Sequence, residues 1–357
     1  MAKTLSSWRM VARDADLVQT SIPIPTLAAG EALIKIAGCG VCHTDIGFWH
    51  DGVATRHALP LTLGHEISGV VEDGPTELIG RSVIIPAVLP CGECELCTSG
   101  RSNICRNQKM PGNDFDGGFA SHITVPARFL CPVPERLLQH HDLATLSVIA
   151  DAVATPYQAV RKSGLVAGDL AIVVGIGGVG IYGALIAKLY GGKVLAIDIS
   201  DERLASASAM GIPATLNTSG LELKAIKSKV RELATKLGTP TNGWKIFEFS
   251  GTKAGQELAF NLMSYASTVS IVGFTMDKME VRLSNLMAFD ATMIGTWACK
   301  PELYPEILDL FADGRLTVEP FVEKFPMDDI NQIFHNTLAH KYTKRSVLVP
   351  NGNPLRP

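Results

Sequence analysis

One stretch of the chain restricts the fold more than any other, because an apolar strand pattern runs directly into closely spaced glycines and then into an apolar helix. The strand pattern covers residues 171–174, the glycines follow the spacing Gly-x-Gly-x-x-Gly from Gly175 to Gly180, and the helical pattern covers residues 181–189. In this order the first glycine permits a tight turn, the second lets the backbone approach a pyrophosphate, and the third lets helix and strand pack closely. The stretch therefore predicts a βαβ dinucleotide-binding unit.

The sequence after the glycines supports the same interpretation. Residues 170–187 are uncharged and long enough to suggest a membrane helix, but the central glycines favour a strand, a turn and a helix instead. A second strand pattern at 193–197 ends in Asp198, where a carboxylate can accept hydrogen bonds from the adenosine ribose hydroxyls. Because an acid there repels a 2′-phosphate, NAD is favoured over NADP. The alternative is a glycine-rich turn with a capping aspartate.

The order of the remaining elements predicts an α/β fold. Helical patterns at 201–210 and 254–263 alternate with strand patterns at 246–249 and 268–272, which is typical of a doubly wound parallel sheet with its ligand at the carboxyl edge. Residues 1–152 are richer in short strands, glycine and proline, and the last strand pattern, 345–349, could rejoin that first lobe. We therefore expect domains at 1–152 and 153–297, with 298–357 returning to the first.

A cluster of four cysteines predicts a metal site. Cys91, Cys94, Cys97 and Cys105 are spaced C-x2-C-x2-C-x7-C. Short Cys-x-x-Cys steps let a tight turn aim successive thiolates at one Zn²⁺, and four thiolates fill its tetrahedral shell. Such a closed site stabilises a lobe of the fold and leaves no position for substrate. A disulfide pair, an iron–sulfur cluster or coincidence are the alternatives, although the spacing differs from both common ferredoxin patterns.

Composition excludes several classes of partner. The chain has 357 residues, 19% of them charged, and a formal net charge of −3, so it carries no basic footprint for nucleic acid. A small neutral or anionic ligand is the expected partner. The N-terminal residues contain no apolar run of signal-peptide length, and we expect a cytoplasmic protein, not bound to a membrane, whose cysteines stay reduced.

Four motifs together resemble the zinc-dependent medium-chain alcohol dehydrogenase family over nearly the whole chain. They are, in order, the segment from Gly40 to Asp45 (Gly-Val-Cys-His-Thr-Asp), Gly64-His65-Glu66-x-x-Gly69, the four-cysteine cluster and the glycine fingerprint. The resemblance implies a β-rich GroES-like catalytic domain interrupted by a Rossmann domain. It also implies two zinc ions per chain, NAD as cofactor and a homotetramer.

The resemblance also assigns a second, open zinc site. Cys42 and His65 resemble its first two protein ligands, and Asp151 stands where many family members carry a second cysteine. Asp151 keeps the negative charge of a thiolate but is a harder ligand, so we expect a more easily lost metal. Glu66 is the fallback ligand, although in the family it more often sits behind the metal. The alternatives are that Asp151 caps a helix beginning near residue 152 and that His65 is a packing histidine.

Further roles follow from the same resemblance. Thr44 matches the hydroxyl that relays the substrate proton, and Asp45 matches the carboxylate that orients the histidine ligand. His43 and Arg345 resemble contacts to the cofactor phosphates, and simple surface charge is the alternative for either residue. The remaining cofactor-binding residues are predicted to be Gly175, Gly177, Gly178, Val179, Gly180, Asp198, Arg203 and Gly273.

Two positions depart from the family pattern. Gly47 replaces the histidine that often ends the proton relay, which leaves nearby His50 as a candidate exit. Ala87 replaces an aromatic that narrows the pocket of ethanol-type members, so we expect room for a cyclic or bulky secondary alcohol. Candidate pocket residues, for which core packing is the alternative, are Phe48, Trp49, Phe115 and Trp297.

The expected substrate is narrower than the family. Within it, the chain is most similar overall to dehydrogenases of cyclic acyl-CoA thioesters, which oxidise a ring alcohol to an enone that could in turn add water or hydride. The rival classes are a polyol or sugar dehydrogenase, a zinc-free quinone or enoyl reductase, and a binding protein without activity. A zinc-free reductase should lack Cys42, His65 and the cysteine cluster, all of which are present.

Overall fold

A computed structural model describes residues 4–352 and divides the chain into two compact units. The first unit combines the residues up to Ala154 with those from Ala298 onward, and the second is Thr155–Trp297. The strands are β1 Thr4–Met10, β2 Val18–Pro23, β3 Glu31–Gly40, β4 Leu61–Thr62, β5 Glu66–Asp73, β6 Ser82–Ile85, β7 His122–Pro126, β8 Cys131–Pro132, β9 Leu170–Val174, β10 Lys193–Asp198, β11 Ala214–Asn217, β12 Lys245–Glu248, β13 Thr268–Ile271, β14 Thr292–Gly295, β15 Val322–Pro326 and β16 Arg345–Val349. The α-helices are α1 His43–Ile46, α2 Glu95–Thr98, α3 Glu135–Leu138, α4 Ala154–Lys162, α5 Gly180–Leu189, α6 Asp201–Ala209, α7 Leu223–Lys236, α8 Lys253–Asn261, α9 Ser284–Phe289, α10 Tyr304–Ala312 and α11 Ile330–Leu338.

The second unit contains a six-stranded, wholly parallel sheet in the order β11-β10-β9-β12-β13-β14. The strand order reverses between β9 and β12, which is the switch point at whose carboxyl edge doubly wound sheets bind ligands. All five residues of β9 are buried, as its continuous apolar pattern predicts for a central parallel strand. The predicted α/β Rossmann sheet is confirmed, and the uncharged stretch at 170–187 is a strand, a turn and a helix.

The first unit is mostly antiparallel β-structure. One sheet has the order β15-β16-β3-β5-β6-β8, with β7 also pairing with β3, and a smaller sheet has the order β2-β1-β4. The C-terminal strand β16 pairs with β3, so this strand belongs to the sheet of the first unit. The core of this unit is largely aliphatic but also contains the aromatic residues Trp49 and Phe334, whose rings meet edge to face. This architecture confirms the GroES-like expectation.

Within residues 4–352, no helix combines the length and apolar character needed to cross a lipid bilayer. Helix α7, for example, is amphipathic and buries one stripe made of Ile226, Val230 and Ala234.

Candidate active site

The four clustered cysteines converge on one point. Their Sγ atoms lie 3.4 Å apart for Cys91 and Cys105, 3.5 Å for Cys94 and Cys97, 3.6 Å for Cys94 and Cys105, and 3.9 Å for Cys91 and Cys97. A tetrahedral zinc with bonds of about 2.3 Å places its sulfurs roughly 3.8 Å apart. The donor set therefore fits a closed zinc site.

The local backbone prepares these thiols for a metal. Gly92 takes a positive φ of 79°, which lets the chain turn sharply between Cys91 and Cys94, and Cys94 then opens the short helix α2. The backbone N–H groups of Glu93 and Cys94 lower the pKa of the Cys91 thiol to about 6. A thiolate is the form that binds zinc, so the turn favours both its position and its charge.

A second group of donors lies in the same unit, where Cys42 and His65 are buried and Asp151 is partly exposed. Cys42 Sγ lies 3.8 Å from Asp151 Oδ2, and His65 Nε2 lies 3.6 Å from the same oxygen. Zinc with tetrahedral angles and ordinary bond lengths gives separations of roughly 3.6 Å and 3.4 Å for these pairs. Asp151 lies three residues before the start of α4 and directs its carboxylate at the other two donors, which favours the ligand interpretation over a helix cap.

Asp45 lies beside this site and contacts the residues that carry two of its donors. Its Oδ2 accepts the N–H of Cys42 at 2.9 Å, while Oδ1 accepts the N–H of Gly64 at 3.0 Å and lies 3.5 Å from His65 Nδ1. Burial disfavours a charged His65, but the charge of Asp45 and hydrogen bonds to Asp151, Asp45 and Cys42 outweigh it and raise the pKa of the imidazole. The anionic groups around His65 would equally stabilise a bound cation, which has to displace the imidazole proton before Nε2 can act as a ligand.

Glu66 and Arg345 form a buried ion pair beside these donors. The guanidinium donates to both carboxylate oxygens, from Nε to Oε2 at 3.0 Å and from Nη2 to Oε1. Burial acts to lower the pKa of Arg345, but the Glu66 carboxylate outweighs it and raises that pKa. A methyl group on Gly40 would come within 2.0 Å of Glu66 Oε2, so the pair needs a glycine on the neighbouring strand.

This pair bears on two predicted roles. Glu66 offers an oxygen within 4.8 Å of the three other donors, yet both of its oxygens are engaged by Arg345. Arg345, which the resemblance places at a cofactor phosphate, is buried here and directs two of its donors to Glu66. Its contact with a cofactor stays a prediction, as does zinc ligation by Glu66.

Tyr304 is a residue that the sequence interpretation missed. Its ring is fully buried, and its hydroxyl donates a hydrogen bond to the carbonyl of Ala150. On the other side of Asp151, the N–H of Ala152 donates to Glu66 Oε1 at 3.1 Å. The peptide segment that carries Asp151 is thus fixed at both ends. Nothing in the local sequence indicated this, because Tyr304 lies more than 150 residues further along the chain.

The glycine fingerprint of the second unit has the geometry that a dinucleotide needs. Gly175 has a φ of 87°, in the left-handed region that favours glycine. A methyl group on Gly177 would meet no protein atom within 4 Å, so the space beside this residue is open to a ligand. Gly178 and Val179 complete the turn, and α5 begins at Gly180. The residues present therefore fit a bound pyrophosphate.

Asp198 ends β10 beside this turn. Its Oδ2 accepts the N–H of Ile176 at 2.6 Å, and Oδ1 accepts the N–H groups of Ile199 and Ser200 at 2.8 and 3.0 Å. Arg203, on the first turn of α6, places Nη1 3.9 Å from Oδ1. The carboxylate is thus fixed at the carboxyl edge of the sheet, where the sequence places it. Gly273 follows β13 at the same edge.

The other predicted residues differ in their exposure and in the side chains that they contact. Thr44 Oγ1 lies 3.6 Å from Cys42 Sγ, and the exposed His43 stacks on His340 with ring centroids 5.7 Å apart. His50 is partly exposed in a π-helical turn that begins at Gly47, and its Nδ1 lies 2.5 Å from Asp14 Oδ1. Among the candidate pocket residues, Phe48, Trp49 and Phe115 belong to or pack against the core of the first unit, whereas Trp297 ends the second.

The chain matches two family models and a characterised relative. The family model for the alcohol dehydrogenase GroES-like domain matches residues 28–135, and the model for zinc-binding dehydrogenase matches residues 178–313. An alcohol dehydrogenase from Geobacillus stearothermophilus is 31% identical over 332 residues, which are 91% of this chain and 93% of the relative.

Solved structures show the same fold. The alcohol dehydrogenase from Aeropyrum pernix superimposes with a TM-score of 0.85 at 26% identity, covering 97% of this chain and 100% of the other. A zinc-binding dehydrogenase from Sinorhizobium meliloti, solved with NADP bound, superimposes with a TM-score of 0.84 at 23% identity, covering 98% and 100% of the two chains.

Proposed function

This chain belongs to the zinc-dependent medium-chain alcohol dehydrogenase family, and from that premise we propose that it oxidises a cyclic secondary alcohol to a ketone with transfer of hydride to NAD. The observation that carries the proposal is the convergence of Cys42, His65 and Asp151 on one point. Three protein donors leave a tetrahedral metal one open position, which distinguishes a catalytic site from the closed cysteine cluster.

Each residue around this point has a chemical task. Cys42, His65 and Asp151 would hold zinc, which when bound supplies a Lewis acid for the alcohol oxygen. The thiolate and the carboxylate neutralise a divalent cation, and Asp45 keeps Nε2 of the histidine directed at it. Thr44 Oγ1 would accept the proton that the alcohol releases.

The metal content tests this assignment separately from turnover. We expect two zinc ions per chain, and a chelator should remove the one held with Asp151 before the one held by four thiolates, because the carboxylate is a harder ligand. Zinc released against time should therefore show two phases. The Asp151→Ala variant should retain only the slow phase, and two phases of unchanged amplitude in that variant would contradict the assignment.

We propose NAD rather than NADP as the cofactor. The support is the fixed carboxylate of Asp198, because a 2′-phosphate placed beside it would be repelled, although Arg203 lies close by. The ratio of kcat/KM for the two cofactors measures the preference. In the Asp198→Ala variant that ratio should move toward NADP, and an unchanged ratio would contradict the role of the carboxylate.

For the substrate we propose 6-hydroxycyclohex-1-ene-1-carbonyl-CoA, oxidised to the 6-oxo product in the anaerobic degradation of aromatic compounds. The support is the overall resemblance of the chain, together with Ala87 at a position where a larger side chain would narrow the pocket. NADH formation should be compared for this thioester, its free acid, cyclohexanol, sorbitol and glucose. Turnover confined to the thioester is the expected result.

A polyol or sugar dehydrogenase is the second candidate, because such enzymes share a zinc site that contains an acid, as Asp151 provides here. Turnover of sorbitol or glucose in the same assay would favour it and discard the thioester. Cytoplasmic location is part of the first proposal, since two sites built on thiolates need reduced cysteines.

We also propose a homotetramer assembled partly through the Rossmann unit. Among residues 4–352 the edge strand β14 pairs only with β13, and large apolar side chains are exposed in the segment that precedes β14. These exposed residues are Phe274, Met276, Leu283 and Met287. Light scattering after size-exclusion chromatography measures the assembly, and substitution of Met287 by Glu should shift it toward smaller species.

A further inference from the structure

Glu248 is a buried carboxylate at the switch point of the Rossmann sheet. It is the last residue of β12, pairs with Val174 of β9 and has no exposed surface. Its Oε1 accepts hydrogen bonds from the N–H of Ser250 at 2.7 Å, the N–H of Gly251 at 3.1 Å and the hydroxyl of Ser250 at 2.5 Å. One oxygen atom thus fixes the loop that leaves the strand.

The backbone of that loop packs directly against the glycine turn. A methyl group on Gly175 would lie 2.6 Å from both the nitrogen and the Cα of Ser250, so the two backbones are in direct contact. The N–H of Phe249 also donates to the carbonyl of Val174, immediately before the turn, at 2.9 Å. A shift of Ser250 would therefore displace Gly175, and with it the open space beside Gly177.

Burial makes an ionised carboxylate at this position energetically unfavourable. Burial raises the pKa of Glu248 even though the hydrogen bonds from Ser250 and Gly251 act in the opposite direction. Its second oxygen, Oε2, is buried and has no hydrogen-bond partner among the described residues. The side chain is thus retained at an electrostatic penalty, and the three hydrogen bonds that its Oε1 accepts all come from the loop that leaves β12.

We propose that Glu248 is a positioning residue for the dinucleotide, which holds the Ser250 backbone in place so that the Gly175 turn keeps the shape that receives the pyrophosphate. The inference rests on the proposed dehydrogenase function only in requiring a dinucleotide at this turn. Asp198 fixes the other side of the same turn through the N–H of Ile176, so two carboxylates define its conformation.

The test is the affinity of the holoenzyme for NADH, measured by fluorescence titration. Glu248→Ala removes the acceptor, and Glu248→Asp draws it back by one methylene. Both should raise the Kd roughly tenfold, which corresponds to the loss of a hydrogen bond to a charged group. Glu248→Gln keeps an acceptor at Oε1 and should restore the Kd to within about threefold of the original protein. Ser270→Ala, which removes a fully buried hydroxyl from the neighbouring strand β13, is the matched control and should leave the Kd unchanged.

Zinc content and circular dichroism of each variant identify any that fail to fold, and if Glu248→Ala fails, Glu248→Asp decides. A Kd within twofold of the original protein in the folded Asp or Ala variant would overturn the proposal. An equal loss of affinity in the Gln variant would also overturn it, because the acceptor oxygen would then not be the group that matters. If the original protein binds neither NADH nor NADPH, the dinucleotide function itself fails, which is a separate outcome.

Discussion

Replacement of Arg345 by Met should destabilise the protein more than replacement of any exposed charged residue. The guanidinium and the Glu66 carboxylate are both buried, and the substitution leaves the carboxylate with only the N–H of Ala152. Removal of one partner from a buried ion pair costs about 3–5 kcal/mol, because an uncompensated charge remains. At about 2–4 °C per kcal/mol for a domain of this size, the apparent Tm should fall by roughly 6–20 °C.

Two companion variants separate this effect from the loss of a long side chain. Glu66→Gln together with Arg345→Met removes both charges and should recover most of the lost Tm. Arg136→Met breaks pairs with Asp309 and Asp313 whose side chains are about half exposed, and it should cost at most about 1 kcal/mol. Thermal unfolding followed by circular dichroism measures all of them. A Tm for Arg345→Met as close to the original as that of Arg136→Met would refute the buried-pair reasoning.

Three further perturbations probe the other sites. Cys94→Ser should lose the closed zinc, so metal analysis should fall to one ion per chain and the Tm should drop; two retained ions would contradict the assignment. Tyr304→Phe should speed zinc loss from the Asp151 site, because the carbonyl of Ala150 is then no longer fixed by the tyrosine hydroxyl. Tyr182 is equally buried in the other unit, so Tyr182→Phe should leave the rate of zinc loss unchanged. Equal rates in the two variants would contradict this. Burial raises the pKa of Glu248, so as pH rises this carboxyl loses its proton in the unfolded chain before it does in the folded protein. The free energy of unfolding should therefore fall from about pH 4.3 up to the folded pKa. Glu248→Gln should remove that fall, and parallel curves of Tm against pH would contradict it.

The sequence by itself determined the features that depend on neighbouring residues. The strand, glycine turn and helix around Gly175 follow from local backbone freedom and apolar pattern, and the structure has them at β9 and α5. The cysteine cluster is also local, because Cys91 to Cys105 lie in a single short loop whose turns aim the thiols together. The alternation of strands and helices was enough to predict the parallel sheet.

Only the tertiary structure decided which distant residues meet. Cys42 and Asp151 are 109 positions apart, and Arg345 lies 279 positions beyond Glu66, so no periodicity could show that Arg345 directs its donors at a carboxylate. Tyr304 and Glu248 carried no recognisable motif, because their roles arise from the backbone groups that folding places beside them. Short-range geometry is encoded in adjacent residues, whereas contacts across the fold depend on how the strands of each sheet are ordered, and that order is fixed by packing of the whole chain.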